Sequence, residues 1–221
     1  MFALGSETPD QELELPEPSQ ALSVLFRLLH EPLTRTPSAH GGGAIPLPLL
    51  PALFNLVDKY ALTHELEETL AAHLSTHAPA HPLSVYSLAT TLGLDKVASD
   101  ATAHLLKKPL HEYTAEEVAT IPNVQAYHAL VVLHAYRQAR LREVLLAEEL
   151  FPKDYQLCTT HGDATRDIWK RKANYVWGHV HAGTDIAEEM SSLLDAASVR
   201  DCKRCHMGCV RSVEMIRVRP R

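Results

Sequence analysis

The sequence predicts a mainly α fold, a multi-helix array of antiparallel helix pairs with at most one short edge strand near the N-terminus. Apolar residues recur at spacings of three and four through most of the 221 residues, which is the period of a helix with one buried face. Pro, Gly and Asn interrupt that period between successive helices. The one strand candidate is the short alternation "LELP" at 13–16.

The composition is that of a globular protein, with 46% hydrophobic and 22% charged residues and a net charge of −6. Charge is unevenly distributed: residues 1–18 hold acids and no Lys or Arg, whereas residues 200–221 are basic. We interpret the basic end as a solvated terminus. The expected regions are an acidic N-terminal segment at 1–18 and helical regions at 19–76, 77–150 and 151–221, the last carrying the basic tail.

The first half of the chain divides into short helices. Pro18 and Ser19 favour the start of a helix over 20–29, and the Pro-, Gly- and Ser-rich stretch 31–46 predicts a flexible loop. Two helices are then expected at 49–62 and 64–77, the second capped by Thr63.

Four further stretches continue the helical pattern. Pro82 predicts a helix start and Gly93 its end, and Asp95 is expected to cap the following helix. Thr114 and Glu117 have the spacing of a capping box. Longer helical periods are predicted over 124–149, 162–181 and 183–198.

Two phrases of the sequence resemble a known family. The phrase "LFNLVDKYALTHELEETLAAHL" at 53–74 is similar to the helix pair in the second half of a BTB/POZ domain, with Asp58, Lys59 and Tyr60 at its signature position. The continuation "HPLSVYSLATTLGLDKVASDATAHLLKKPL" resembles the helix pairs that follow BTB domains in fungal proteins, a BACK-like region. The resemblance covers residues 11 to about 135 and is most specific over 49–106.

The resemblance implies a non-enzymatic protein–protein interaction module that binds through helix faces. Leu25, Phe26, Leu53 and Phe54 are the expected contact residues, although the same apolar positions would suit a core. The partner would be another protein or a second copy of the chain. The strand-rich first half of a BTB domain does not precede these residues, so we do not predict cullin docking.

Cysteine and histidine spacing suggests a metal site in the last third. Cys158 and His161 are separated by two residues, as are Cys202 and Cys205, and CxxH…CxxC is a ligand set that zinc prefers. His206 or Cys209 could replace one ligand. Three interpretations stay open: one structural zinc, ordinary reduced cysteines, or a redox or disulfide pair.

Two alternative functions have weaker sequence support. His179 and His181, flanked by Gly178 and Gly183, could belong to a metal-dependent hydrolase. The basic tail could bind nucleic acid, which we consider a minor alternative because no base-reading motif accompanies it. The basic residues concerned are Arg200, Lys203, Arg204, Arg211, Arg217, Arg219 and Arg221.

Other motifs are missing from the sequence. No P-loop, GxSxG or GxGxxG occurs, so we predict no enzyme and no catalytic residue. No run approaches the ~18 apolar residues of a membrane span, and the N-terminus lacks a secretory signal pattern. We therefore expect no membrane partner and a cytoplasmic or nuclear protein with reduced thiols.

Overall fold

The computed structural model describes residues 15–30, 43–147 and 157–218. Within these ranges the regular structure is helical and contains no strand, which confirms the mainly α prediction. Leu13 and Glu14 of the strand candidate lie outside the described residues. No helix in the described ranges is long and apolar enough to cross a membrane. The α-helices are α1 (Ser19–His30), α2 (Leu50–Lys59), α3 (His64–Thr76), α4 (Pro82–Leu92), α5 (Asp95–Leu105), α6 (Ala115–Ala119), α7 (Val124–Leu146), α8 (Gly162–His179), α9 (Ile186–Ser191), α10 (Ala197–Arg200) and α11 (Lys203–Val218).

The chain divides into two compact units, Met1–His77 and Ala78–Arg221. In the first unit, α2 contacts both α1 and α3. The buried apolar side chains come from all three helices and from Ile45, because each helix carries its apolar residues on one face. They are Ala21, Leu25, Ile45, Leu50, Leu53, Phe54, Leu56, Val57, Leu66, Leu70 and Leu74.

Polar contacts hold the segment before α1 and the segment before α2 in place. Glu17 accepts hydrogen bonds from the Lys59 ammonium and, at 2.7 Å, from the Tyr60 hydroxyl. The hydrogen bond from Lys59 lowers the pKa of Glu17. On α3, His73 Nδ1 accepts from the backbone N–H of Ile45 at 3.3 Å. His77, directly after α3, places its Nε2 2.8 Å from the carbonyl oxygen of Ile45. Two imidazoles one turn apart therefore satisfy both backbone groups of a buried residue.

The second unit combines the α4–α5 pair with a larger cluster of helices. α8 contacts α7, α9 and α10, and α11 contacts α9 and α10. The core of this cluster is built from apolar faces of these helices together with Trp169 and Cys209. Its buried members are Leu141, Leu145, Trp169, Ala173, Val176, Val180, Ile186, Ala187, Met190, Leu193, Val199, Cys209, Val213 and Ile216.

Most of the predicted helix ends are observed. Gly93 ends α4 in the left-handed conformation, at φ 71°, which glycine adopts without strain. Thr114 and Glu117 form the capping box, with bonds of 3.2 and 2.7 Å. Thr63 is the N-cap of α3, as predicted, although its side chain forms no capping bond. The prediction for Asp95 was wrong, because Asp95 is the first residue of α5 rather than its cap.

The basic end of the chain is the main correction to the predicted elements. Residues 203–218 form α11 instead of a solvated terminus. The reason is an apolar row at spacings of four, four and three, because Cys205, Cys209, Val213 and Ile216 are all buried along one face. The basic residues lie on the opposite side of the same helix, and they made the apolar row hard to recognise in the sequence.

Candidate metal centre

Three cysteine sulfurs converge in the second unit. The Sγ atoms of Cys158, Cys202 and Cys205 lie within 4.8 Å of one another. Cys158 precedes α8 in the chain, Cys202 immediately precedes α11, and Cys205 lies in the first turn of α11. Cys205 is fully buried, whereas the other two are half-buried. Three thiols in this arrangement could hold a metal ion.

The first of the two contributing turns is the segment 158–161. The backbone N–H of His161 donates to Cys158 Sγ at 3.1 Å, and His161 Nδ1 lies 3.3 Å from the same sulfur. The carbonyl of Cys158 accepts from the N–H of Gly162 at 2.9 Å, so the turn leads directly into α8. The turn places the exposed imidazole of His161 beside the sulfur cluster.

The second turn, 202–205, repeats this pattern. The backbone N–H of Cys205 donates to the Cys202 thiol and is the main cause of that thiol's lowered pKa. The side chain of His161 also bonds to Cys202 and acts in the same direction. In both turns, then, the first cysteine accepts an N–H from the residue that carries the second candidate ligand. Such bonds favour the thiolate, the form that binds metals.

The sulfurs of Cys158 and Cys205 are the closest pair that bridges the two turns, at 3.6 Å. Cys209, one helical turn after Cys205, is not part of the trio. It is fully buried in the apolar core, and burial raises its pKa to about 12. A thiol of this kind packs as a small apolar side chain, so Cys209 does not replace a ligand.

The histidine pair at 179 and 181 has a different arrangement. His179 Nδ1 lies 2.8 Å from the carbonyl of Tyr175 and must donate to it. His181 Nδ1 accepts the N–H of Gly183 at 3.2 Å, so its lone pair is already used. Among the described residues, the cysteine trio is the one group of three Cys, His, Asp or Glu ligand atoms that lies this close together.

The four residues predicted for protein binding are distributed between core and surface. Leu25, Leu53 and Phe54 are buried, so they take the core role that the sequence left open for them. Phe26 is 50% exposed and Leu29, one turn further along α1, is 47% exposed. Phe26 is therefore the predicted contact residue that can reach a partner.

The basic residues of the last helix are exposed but share their surface with acids. Lys203, Arg204, Arg211 and Arg217 lie at the surface of α11, together with Glu214. Arg200 lies 3.5 Å from Asp201. Arg219 and Arg221 lie outside the described residues.

Comparison of the chain with known protein families, with curated proteins and with solved structures finds no match. The sequence spacing identified both cysteine turns. The N–H to sulfur bonds and the helix that positions Cys205 became visible only in the structure.

Proposed function

We propose that this chain is a non-enzymatic helical interaction module whose second unit is held together by one structural zinc ion. The proposed ligands are Cys158, His161, Cys202 and Cys205. The observation that carries the proposal is that two turns, each with two ligand residues separated by two others, bring their sulfurs together from distant parts of the chain.

The distances support zinc as the ion. Two thiolates, each about 2.3 Å from a tetrahedral zinc, stand about 3.8 Å apart, and a thiolate and an imidazole stand about 3.6 Å apart. The sulfurs of Cys158 and Cys205 are separated by 3.6 Å, and Cys158 Sγ and His161 Nδ1 by 3.3 Å. Small side-chain adjustments would therefore be enough for ligation. The softness of three thiolates also favours zinc over magnesium or calcium.

The ligand count supports a structural rather than a catalytic role. Three cysteines and one histidine fill all four positions of a tetrahedral ion and leave none open for water or substrate. The ion would tie the start of α8 to the start of α11, two helices that both contribute to the core of the second unit. A reducing compartment, as expected from the sequence, would keep the thiols available.

Metal content of the purified full chain tests this proposal. We expect about one zinc per chain by elemental analysis, and loss of that zinc in Cys202→Ser and Cys205→Ser. The matched control is His179→Ala with His181→Ala, which should retain the metal. Absence of zinc from protein prepared in zinc-supplemented medium, or its loss in the histidine control alone, would overturn the proposal.

Protein binding is the second part of the proposal. It is supported by the exposed Phe26 and Leu29 on α1, and by the resemblance of the α2–α3 and α4–α5 pairs to BTB and BACK-like helices. We take a second copy of the chain as the partner to test first. Phe26→Asp should lower the mass measured by sedimentation equilibrium while circular dichroism stays unchanged, whereas Leu53→Asp should unfold the first unit. An unchanged, monomeric mass in both the parent and Phe26→Asp would reject self-association.

A further inference from the structure

A cavity in the second unit lies away from the cysteine cluster. Its volume is about 390 Å³, within the ~300–1,000 Å³ range of small-molecule sites. Residues from α7, α9 and α11 line it, together with Leu106 directly after α5 and with Thr184 and Asp185 directly before α9. Most of the lining is apolar and includes Leu133, Leu141, Val144, Ile186 and Ile216. Tyr136, 64% exposed, also lines it and connects the cavity to the protein surface.

The charged part of the lining is two arginines and one acid. Arg137 and Arg140, adjacent on one side of α7, both line the cavity. The Nε of Arg137 donates to the carbonyl of Ala182 at 3.1 Å, which fixes the direction of its guanidinium. Arg140 forms an ion pair with Glu143, one turn further along the helix, through a single guanidinium nitrogen. Arginine has five N–H donors, so both residues have further donors to offer.

The one acid in the lining, Asp185, has a structural task. Its Oδ1 caps α9 by accepting the N–H groups of Ala187 and Glu188, at 3.0 and 3.2 Å. These bonds hold the carboxylate at the start of the helix, where the helix dipole also compensates its charge. The lining itself therefore holds two arginines and one capped acid, and Glu143 engages a single nitrogen of Arg140, so the remaining guanidinium N–H groups are the donors that a bound anion could reach.

We propose that this cavity binds a small amphipathic anion, a carboxylate carried on an apolar body, with Arg137 and Arg140 at the carboxylate and the apolar lining around the body. An apolar cavity with a few convergent polar groups is the usual form of a ligand site. The planar guanidinium matches a carboxylate in geometry as well as charge. This site shares no residue with the cysteine cluster and does not depend on zinc.

Octanoate is a suitable probe, because it has the required chemistry and stays monomeric at millimolar concentration. Isothermal titration calorimetry on the full chain should show saturable binding of one octanoate per chain. 1-Octanol keeps the apolar chain but lacks the charge, and acetate keeps the charge but lacks the chain. Both should bind about tenfold more weakly or worse, because each loses one of the two interactions.

Two variants and a control locate the binding. Arg140→Gln should weaken octanoate binding about tenfold, because it removes a charge-assisted hydrogen bond from an exposed position where folding is not at risk. Val144→Trp should block the cavity. The control is Arg142→Gln on the same helix, since Arg142 stacks on the Trp177 ring at 4.9 Å and does not line the cavity.

The outcomes separate clearly. Binding that is weakened in Arg140→Gln and unchanged in Arg142→Gln supports the site. Equal binding of octanol and octanoate, equal loss in the two arginine variants, or no saturable binding of octanoate overturns it. If Val144→Trp fails to fold by circular dichroism, the comparison of the two arginine variants decides alone.

Discussion

Two groups of potential metal ligands in the second unit differ in what their donor atoms do. In the cysteine turns, backbone N–H groups donate to the sulfurs of Cys158 and Cys202, which favours thiolates and leaves lone pairs free for a metal. At the histidine pair, the Nδ1 atoms of His179 and His181 bond to backbone groups of their own segment. Among the described residues, the first group brings three ligand atoms together, whereas the histidine pair is joined by no third ligand atom at a comparable distance.

This contrast teaches that ligand spacing is only half of a metal site. Sulfur has several lone pairs, so a thiolate can accept an N–H and still bind a metal. An imidazole that uses Nδ1 in a hydrogen bond keeps Nε2 as a ligand atom, so what the histidine pair lacks is a third ligand atom close by among the described residues. Spacing shows which residues are near each other along the chain, but whether further ligands join them depends on how distant segments pack.

The largest expected effect is the loss of a cysteine ligand. Cys205→Ser should release zinc and destabilise the second unit by about 4 kcal/mol under conditions where zinc is ~1,000-fold above its dissociation constant. Urea unfolding with and without a zinc chelator measures this. The chelator should lower the stability of the parent protein and of His181→Ala, and should leave Cys205→Ser unaffected. A loss of stability of Cys205→Ser on addition of the chelator would contradict the role of Cys205 as a zinc ligand.

Gly183→Ala should destabilise the turn that carries His181 without changing metal binding by the cysteine turns. A Cβ at Gly183 would lie 2.4 Å from the carbonyl oxygen of Leu106 and 2.7 Å from Lys107 Cα, and neither backbone atom can move aside cheaply. We expect a loss of roughly 1–3 kcal/mol in unfolding free energy, as for overpacked sites, with zinc content unchanged. Gly178→Ala is the matched control, because its Cβ would meet nothing within 4 Å. Loss of zinc in Gly183→Ala would show that the two sites are coupled.

A smaller effect is expected from the hydrogen bond that anchors the histidine turn to α7. Gln138 Nε2 donates to the carbonyl of the buried Val180 at 2.7 Å. Gln138→Leu leaves that carbonyl unpaired, at a cost of about 1–2 kcal/mol. The control Arg142→Leu removes a longer bond, 3.4 Å to the carbonyl of Trp177, at an exposed position, and should cost less in thermal unfolding. The reverse order of the two losses would reject this anchoring role.

The smallest effect concerns pH. Burial lowers the pKa of His134, and the neighbouring His181 lowers it further. A histidine with a depressed pKa in the folded state binds its proton more readily when unfolded, so its contribution to stability is present above pH ~6.5 and is lost as the pH falls below it. The slope from one such group cannot exceed about 1.4 kcal/mol per pH unit. The stability of His134→Leu should therefore fall less steeply than that of the parent between pH 6.5 and 5. Equal slopes would show that His134 does not contribute to the pH dependence of stability.

The helices that position the site were largely predictable. The apolar period and the capping box located α1 to α9, and local chemistry at Gly93 and Thr114 fixed two of the ends. These features depend on neighbours in sequence, so they can be inferred from the sequence alone. The helix that was not predicted, α11, has a narrow row of apolar residues and a basic exposed side. The basic residues make the segment polar on average, which concealed its apolar period.

The cysteine trio was predictable in identity but not in detail. The two-residue spacing selected Cys158, Cys202 and Cys205, which the structure brings together, because one turn can present two ligands; His161 as the fourth ligand stays a prediction. Whether the two turns meet depends on how α8 and α11 pack on a shared core, which no local pattern encodes. For the same reason the sequence could not separate Cys209, a core residue, from the ligands one turn away.

The location of the cysteine turns has an electrostatic consequence for the choice of ligands. Both turns stand at helix starts, where unpaired N–H groups create about half a positive charge at each helix. A zinc ion bound by two thiolates and two imidazoles would be neutral there, and one bound by three thiolates and one imidazole carries a net charge of about −1. Two positive helix ends thus favour an anionic complex. Replacing Cys158 by histidine would keep four ligands and still weaken the attraction between the complex and both helices.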